Sequence, residues 1–558
     1  MSDSAEPKQS LWKSDAISGF LVFLIALPLC LAIARASNFP PIAGIWTAVL
    51  GGLICTFISN SQMTIKGPAA GLIVIVAGAV VELGREFGAG LSEGEQLAIG
   101  YRLALGIGVV SGVIQILFGL FRAGTLGDLF PLSAVHGMLA AIGIIIISKQ
   151  SYLVFGIDPP KDAGPIGLLT ALPERFLDMN PEIALIGVMS LVILFGMPFL
   201  NFKWIKKIPT PMIVILLAIP VGMYFDLDHK HTFLFPHHFF DTEHYDEFEV
   251  GPQFLVSIPN VLDKPADAFA LPDFRGLATA TGLQYLVLFA LIGSLESLLS
   301  AKAVDLLDPK KRKTNLNRDM TAVGVANTVS AAIGGMPMIS EIVRSSANIN
   351  NGAASKFSNF FHGLFLLAFV LLIPNLIHRI PLAALGAMLV YTGFRLASPR
   401  EFVKTWHIGI EQLAVFVTTI VMTLATDLLI GIASGIALEF LMHLMHGVTP
   451  WSVLKPAIEV GQIGDNSYRI VVSDPAVFAN WLALKNRVLA LGDEADVEID
   501  MTNAKLIDHT VMEKLHELEA EFERRGRRLE VTGLHEHWAF SKHPKATRKK
   551  SGKHAKVV

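Results

Sequence analysis

The sequence predicts a polytopic α-helical membrane protein that carries a small α/β domain at its C-terminus. Three observations carry that prediction. The 558 residues are 52% hydrophobic and only 17% charged, the apolar residues gather into long uncharged runs, and the composition turns ordinary and soluble beyond residue 447. Runs at 16–34, 41–65, 103–121, 129–148, 183–202, 276–295 and 357–377 each approach the ~20 apolar residues that a helix needs to cross a ~30 Å hydrocarbon layer. Shorter apolar pieces at 67–81, 209–225, 380–394 and 412–426 suit spans that are tilted, packed inside the bundle or broken halfway. Repetition of this kind excludes a single membrane anchor.

Residues 1–14 read as a cytoplasmic N-terminus. The run at 16–34 that follows is too long for the core of a secretory signal and has no convincing cleavage site, so it is expected to be a retained first helix. Cys30 and Cys55 lie inside apolar runs without metal or redox spacing and read as small buried apolar residues. The transmembrane domain is expected over 15–447. Within it, basic clusters at Lys203, Lys206 and Lys207, at Lys310 to Lys313 with Arg318, and at Arg395, Arg400 and Lys404 fall on one side if the N-terminus is cytoplasmic. The acidic segment 226–273, with Asp241, Glu243, Asp246, Glu247 and Glu249, falls on the other. That segment also holds His229, His231, His237, His238 and His244, whose spacing matches no metal-ligand motif and reads as an acidic, solvated loop. No metal site is expected.

From 448 to 540 the pattern alternates: strand at 467–472, amphipathic helix at 476–491, strand at 496–501, helix at 511–524 and strand at 528–532. Alternation of this kind predicts a small α/β unit. Residues 541–558, rich in Lys and His, read as a basic disordered tail.

Two features of the membrane part exceed what plain spanning helices need. Lys66-Gly67-Pro68-Ala69-Ala70-Gly71 opens one short apolar run, and Gly334-Gly335-Met336-Pro337-Met338-Ile339-Ser340-Glu341 opens another, which ends at the polar stretch 348–352. Glycine and proline at the head of short segments in both halves predict discontinuous helices that start near mid-membrane. Such N-termini offer unpaired N–H groups and the positive end of the helix dipole, a natural seat for an anion. The small residues Ala69, Ala70 and Ser340 let a ligand approach the backbone. Two flexible connections are the bland alternative. Glu341 and Arg344 fall on the first turn of the second segment, where the carboxylate suits a cap and the guanidinium adds positive potential. Lys66 reads either as a site cation or as a flanking charge.

Glu296 interrupts an apolar span, with Ser300 four residues on and on the same helix face. That pair suits Na⁺ coordination or proton binding; the alternative is that Glu296 snorkels or pairs structurally with Lys302. No nucleophile–base set, phosphate-binding loop or metal cluster is read in the sequence, and no enzymatic activity, cofactor or nucleic-acid partner is expected.

At these residues the chain resembles the SulP anion permeases, bacterial relatives of the SLC26 anion exchangers. The resemblance rests on Ile25-Ala26-Leu27-Pro28-Leu29, Gly67-Pro68-Ala69-Ala70, Glu296-Ser297-Leu298-Leu299 and Arg344-Ser345-Ser346-Ala347-Asn348, in that order. It implies an inverted repeat of about seven plus seven segments in core and gate domains, with the anion held between two half-helices. The binding residues would be Ala69, Ala70, Gly71, Ser340, Glu341, Ile342 and Arg344, with Glu296 and Ser300 handling a coupling ion. It also implies elevator-type motion, a homodimer, a C-terminal STAS domain and location in the inner (plasma) membrane with both termini cytoplasmic.

The expected function is secondary active transport of a small anion of the bicarbonate, sulfate or dicarboxylate class, by H⁺ or Na⁺ symport or by exchange. An anion-binding sensor or scaffold that signals through the STAS-like domain, and a nucleobase symporter of the same fold, are the alternatives. Three positions depart from sodium-coupled bicarbonate carriers or from the usual pattern: Ala69 where those carriers have threonine, Glu296 where they have aspartate, and Glu341 where a small residue is usual. An ionised Glu341 would repel a dianion unless protonated, turned away, or paired with Arg344 or Lys66. In the STAS-like unit, Asp508-His509-Thr510-Val511-Met512 stands where signalling relatives carry phosphorylated serines. Thr510 is the one regulatory candidate there, and docking is the expected role of the loop.

Overall fold

The computed structural model describes residues 8–128, 130–160, 163–199, 209–238, 241–454, 456–492 and 495–550. The basic cluster at Lys203, Lys206 and Lys207 lies outside these residues.

Long apolar runs become helices wherever their backbone must satisfy its own polar groups. In chain order these are α1 (Lys8–Ala36), α2 (Pro41–Ile58), then a four-residue strand β1 (Ile65–Pro68), α3 (Ile73–Phe87), α4 (Glu93–Leu120), α5 (Leu132–Phe155), α6 (Pro165–Arg175), α7 (Pro181–Gly196) and α8 (Thr210–Tyr224). A hairpin of β2 (His231–His238) and β3 (Asp241–Val250) follows. Next come α9 (Ala280–Leu307), α10 (Leu316–Ile333), β4 (Met338–Glu341), α11 (Ile342–Asn350), α12 (Phe357–Leu372), α13 (Pro374–Ile377), α14 (Leu382–Leu396), α15 (Pro399–Ile408), α16 (Ile410–Ala425) and α17 (Leu428–Met445). Among the described residues eight helical stretches are long and apolar enough to cross a membrane, and α8, α12 and α16 are shorter apolar helices.

Local chemistry sets the boundaries. Proline occupies the first turn of α2, α7 and α8, where its missing N–H costs nothing. Ser92 and Glu95 close a capping box at the head of α4. Gly334 ends α10 in the left-handed region, φ 105°, where a Cβ would press on the Ala270 amide and the Tyr101 hydroxyl. The expected single run at 41–65 stops at Ile58, and its last residue belongs to β1. The acidic segment expected as a loop is in part the β2–β3 hairpin; just before it, exposed His229 donates to the Asp226 carboxylate at 2.7 Å.

The chain divides into two compact units, residues 1–124 with 142–396, and residues 125–141 with 397–558. In the first, α10 lies along α4 and α2, α1 along α12 and α2, and α7 along α14 and α8. The second gathers α15 to α17 and residues 125–141 with the C-terminal domain. Within the second unit Lys485 Nζ lies 2.5 Å from Asp128, Gln412 donates to Thr547 at 2.9 Å, and Ser541 donates to the carbonyl of Ile408 at 2.6 Å.

After α18 (Pro450–Leu454), the C-terminal domain contains β5 (Ile458–Gly464), β6 (Ser467–Val472), α19 (Trp481–Leu489), β7 (Asp496–Asp500), β8 (Leu506–Ile507), α20 (His509–Arg524), β9 (Leu529–Thr532), β10 (His537–Ala539) and β11 (Arg548–Lys550). Strand order in the main sheet is β5-β6-β7-β9, with β6, β7 and β9 parallel and β5 antiparallel. The parallel strands require crossovers, which α19 and α20 supply. Their apolar faces bury Trp481, Leu484, Val488, Val511, Leu515, Leu518 and Phe522 against Ile470, Val497 and Ile499. The predicted α/β unit is therefore present. The predicted disordered tail is corrected over 541–550: β11 pairs with β10 and β8 in a second sheet, because Arg548 to Lys550 complete backbone bonds those short strands lack alone. Residues 551–558 lie outside the described ones.

Candidate functional site

The two Gly/Pro segments meet. β1 and β4 pair antiparallel with Ile65 opposite Glu341, Lys66 opposite Ser340, Gly67 opposite Ile339 and Pro68 opposite Met338. Each strand feeds a helix too short to span: the single turn 70–72 leads into the 15 residues of α3, and β4 leads into the nine of α11. One discontinuous segment thus comes from each half of the membrane part, as sequence pattern predicts. Neither helix start has a side-chain cap, so the first-turn N–H groups lack the usual partners. Glu341 occupies the cap position of α11 without capping it. The capping expectation for Glu341 is corrected here, because its carboxylate is turned to Arg344 instead.

Extended backbone inside an apolar bundle must be bonded by its surroundings. Asn327 accepts from the Met338 amide at 2.7 Å and donates to the Met338 carbonyl at 3.1 Å, clamping β4. Thr47 holds the Met336 amide at 2.8 Å. On β1, Ser345 accepts from the Ile65 amide at 2.9 Å and Asn359 from the Lys66 amide at 3.1 Å. Asn348, near the end of α11, is tied to Ser18 of α1 at 2.8 Å and donates to the Met63 carbonyl at 3.1 Å. Two broken segments are thereby fixed rather than flexible.

Lys66 is buried, and its ammonium donates to both oxygens of Asp319 at 2.7 Å and to the Ser340 hydroxyl. Asp319 also accepts from Ser59 at 2.6 Å and Ser340 at 3.2 Å. The Ser340 amide donates to Ser297 at 3.1 Å. The flanking-charge reading of Lys66 is corrected: it is an internal, neutralised cation that bridges β1 to the first turn of α10.

Arg344 is 0% exposed. Its Nε stands 3.2 Å from Glu341 Oε2, yet the geometry makes no hydrogen bond, and Nε, Nη2 and Glu341 Oε1 are all buried without a hydrogen-bond partner. Nη1 reaches the Cys30 sulfur at 3.4 Å and abuts Gly67, where a Cβ would collide with it. Of the outcomes weighed for Glu341, pairing with Arg344 is the one observed. Glu296 on α9 lies against Gly71, with Oε2 buried and unbonded, and within electrostatic reach of Glu341. Ser300 is buried one turn further on. Ala69 is buried, extended backbone and Ala70 opens the turn before α3. Ile342 is set apart, its side chain 42% exposed.

Sequence reasoning missed Asp319, Ser297, Asn327 and Asn359. Asp319 directly follows Arg318 of the basic cluster, and the amides and hydroxyl sit in or beside uncharged runs that a charge count passes over. Thr510 is buried at the head of α20, its hydroxyl accepting from the Leu132 amide at 3.3 Å.

A bundle of apolar helices whose two interrupted segments meet head to head around buried, partly unbonded charges defines a multi-pass membrane transport protein. The comparisons narrow that class. The Sulfate permease family profile matches residues 12–441, and the chain belongs to that family of anion transporters. It is 26% identical over 434 residues to the putative sulfate transporter YvdB of Bacillus subtilis, covering 78% of this chain and 74% of that one. It is 22% identical over 538 residues to the bicarbonate transporter BicA of Synechocystis, covering 93% and 88%. Its fold is like that of the solved transmembrane domain of a cyanobacterial BicA, with a TM-score of 0.60, 23% identity and coverage of 75% and 97%. It is also like murine Slc26a9 in an inward-facing state, with a TM-score of 0.64, 16% identity and coverage of 93% and 85%. Relatives named as transporters place the chain among transporters, not enzymes.

Proposed function

We propose that the protein is a secondary active transporter of small anions of the bicarbonate, sulfate or dicarboxylate class, working by elevator-type alternating access. The observation that carries the reading is the Arg344 guanidinium, buried between two uncapped half-helix starts with two nitrogens unbonded. A buried cation with spare donors favours an anionic partner, and helix N-termini add their dipoles and free amides. The anion would contact the backbone of Ala69 to Gly71 and of Ser340 to Ile342, with Arg344 behind them. The Lys66 ammonium is already hydrogen-bonded to Asp319 and Ser340, whereas Arg344, although beside Glu341, keeps two nitrogens unbonded and is therefore the cation with donors to offer.

Glu296 would carry the coupling proton or share Na⁺ with Ser300, and in exchange a counter-moving anion would take the place of the coupling cation. Its unbonded oxygen against Gly71 supports this role. Relatives named as sulfate and bicarbonate transporters support an oxyanion substrate. The protein would work as a homodimer in the inner membrane, with both termini cytoplasmic.

Uptake into proteoliposomes of labelled bicarbonate, sulfate and dicarboxylates, under imposed pH or Na⁺ gradients, tests the reading. One of these anions should accumulate, and Glu296→Gln should abolish gradient-driven accumulation while anion binding persists. No uptake and no anion-dependent stabilisation of the purified chain would sink it.

A further inference from the structure

Among the described residues, and apart from the proposed anion site, a cluster of titratable side chains is buried with unbonded polar atoms. Glu439 and His443 lie one turn apart on the same face of α17, and Asp508 sits at the head of α20. All three are at most 5% exposed. One potential ligand atom from each lies within 4.8 Å of the others. Glu439 Oε2 and His443 Nδ1 have no hydrogen-bond partner, and His443 Nε2 stands 3.5 Å from Asp508 Oδ2.

Asp508 is held in place from behind. Its Oδ1 accepts from the Val511 amide at 2.7 Å and its Oδ2 from the Phe478 amide at 2.5 Å. The His443 ring is flanked by Phe478, with centroids 5.7 Å apart. Among the described residues neither carboxylate is paired with a lysine or arginine. Two buried carboxylates without a cationic side chain are costly to keep ionised. A divalent cation removes that cost for both at once, and would engage the unbonded Glu439 oxygen and an imidazole nitrogen together.

The donor set selects the metal. One imidazole nitrogen with two carboxylate oxygens suits Zn²⁺ and its neighbours, whereas Ca²⁺ wants six to eight oxygens and Mg²⁺ keeps most of its waters. Donors around tetrahedral zinc stand about 3.4 Å apart for bonds near ~2.1 Å, and the His443–Asp508 separation already has that scale. The i, i+4 spacing of Glu439 and His443 presents both donors to one point. Backbone amides that orient Asp508 act as the outer shell of such a site.

We propose that Glu439, His443 and Asp508 form a buried three-donor binding site for a divalent transition-metal ion of the Zn²⁺ class, with water in the fourth tetrahedral position, which clips the loop before α20 to α17. The clip would stabilise the C-terminal domain against α17 and make its seating responsive to metal.

The full-length chain, purified through a tag other than polyhistidine, is stripped with a chelator and titrated with Zn²⁺, and with Co²⁺ for its visible spectrum. The parent should bind one equivalent more than His443→Gln, show a tetrahedral Co²⁺ spectrum, and regain on Zn²⁺ addition the thermal stability lost to the chelator. Glu439→Gln should lose at least about tenfold in affinity. Any weaker binding by the hairpin histidines is common to parent and variants and cancels in the difference. Equal zinc binding by parent, His443→Gln and Glu439→Gln, or a parent that binds no zinc at this site, overturns the proposal; in the latter case protons neutralise the carboxylates. His446→Gln, beside the cluster and bonded to Glu411 at 2.6 Å, is the folded control that should bind as the parent does.

Discussion

The ammonium of Lys66 lies 2.7 Å from both carboxylate oxygens of Asp319, with the two side chains 1% and 2% exposed. The pair joins the strand before one half-helix to the first turn of α10, and its completed hydrogen bonds distinguish it from Arg344 and Glu341, which keep unbonded donors and an unbonded oxygen. Removing one partner of a buried pair strands the other charge, which costs about 3–5 kcal/mol. Lys66→Met and Asp319→Leu should therefore each lower the thermal stability of the purified chain sharply. The double variant should recover a large part of the loss, since both charges leave together. A double variant no more stable than either single one would show that the charges act independently.

Glycine at 67 and 71 permits contacts that no side chain can share. A Cβ at Gly67 collides with Arg344 Nη1, and one at Gly71 collides with the Glu296 carboxylate. Gly67→Ala should weaken anion-dependent stabilisation of the protein, because the guanidinium must move. Gly71→Ala should mainly impair gradient-driven uptake, because Glu296 must move. Gly94→Ala, where nothing lies within 4 Å of the added Cβ, should leave transport unchanged and raise stability by up to about 1 kcal/mol through helix propensity. Equal effects of the three substitutions on transport would refute the assignment of steric roles.

Much of this arrangement was legible in the sequence. Hydrophobic length located the spans, and glycine and proline at the head of two short segments located the broken helices, since both signals are local. The α/β alternation placed β6, β7 and β9 within a residue or so of where they occur. What the sequence could not reveal were partnerships across long separations. Lys66 and Asp319 are 253 positions apart, and Lys66 read alone is indistinguishable from a flanking charge. Asn327 and Asn359 were invisible because an amide does not break an apolar run. The order of residues 541–550 comes from strand pairing to β8 and β10, while their composition alone suggests solvation.

Asp128 precedes α5, is buried, and draws Lys485 Nζ of α19 to 2.5 Å and Lys514 Nζ of α20 to 3.6 Å. One carboxylate thereby gathers both crossover helices of the C-terminal domain. Asp128→Asn leaves two lysines, one of them 4% exposed, without that negative charge. Hydrogen exchange in α19 and α20 should quicken, and limited proteolysis within 480–525 should accelerate. Exchange unchanged from the parent would mean that apolar burial alone holds these helices.

Thr510 is the regulatory candidate of the C-terminal domain, and its surroundings decide against that use. The residue is 1% exposed, and its hydroxyl accepts the Leu132 amide at 3.3 Å. A kinase needs the side chain in solution, so the folded chain should remain unmodified at Thr510 by mass spectrometry after treatment with broad-specificity kinases. Thr510→Ser keeps the acceptor and should be tolerated. Thr510→Val keeps the shape but leaves a buried amide unsatisfied, a loss of about 1–3 kcal/mol in thermal unfolding. Thr510→Glu places a charge at a position that is 1% exposed, and should destabilise more than valine does. If Thr510→Glu were as stable as the parent, the pocket would have to open readily, and phosphorylation would return as a credible control of the domain.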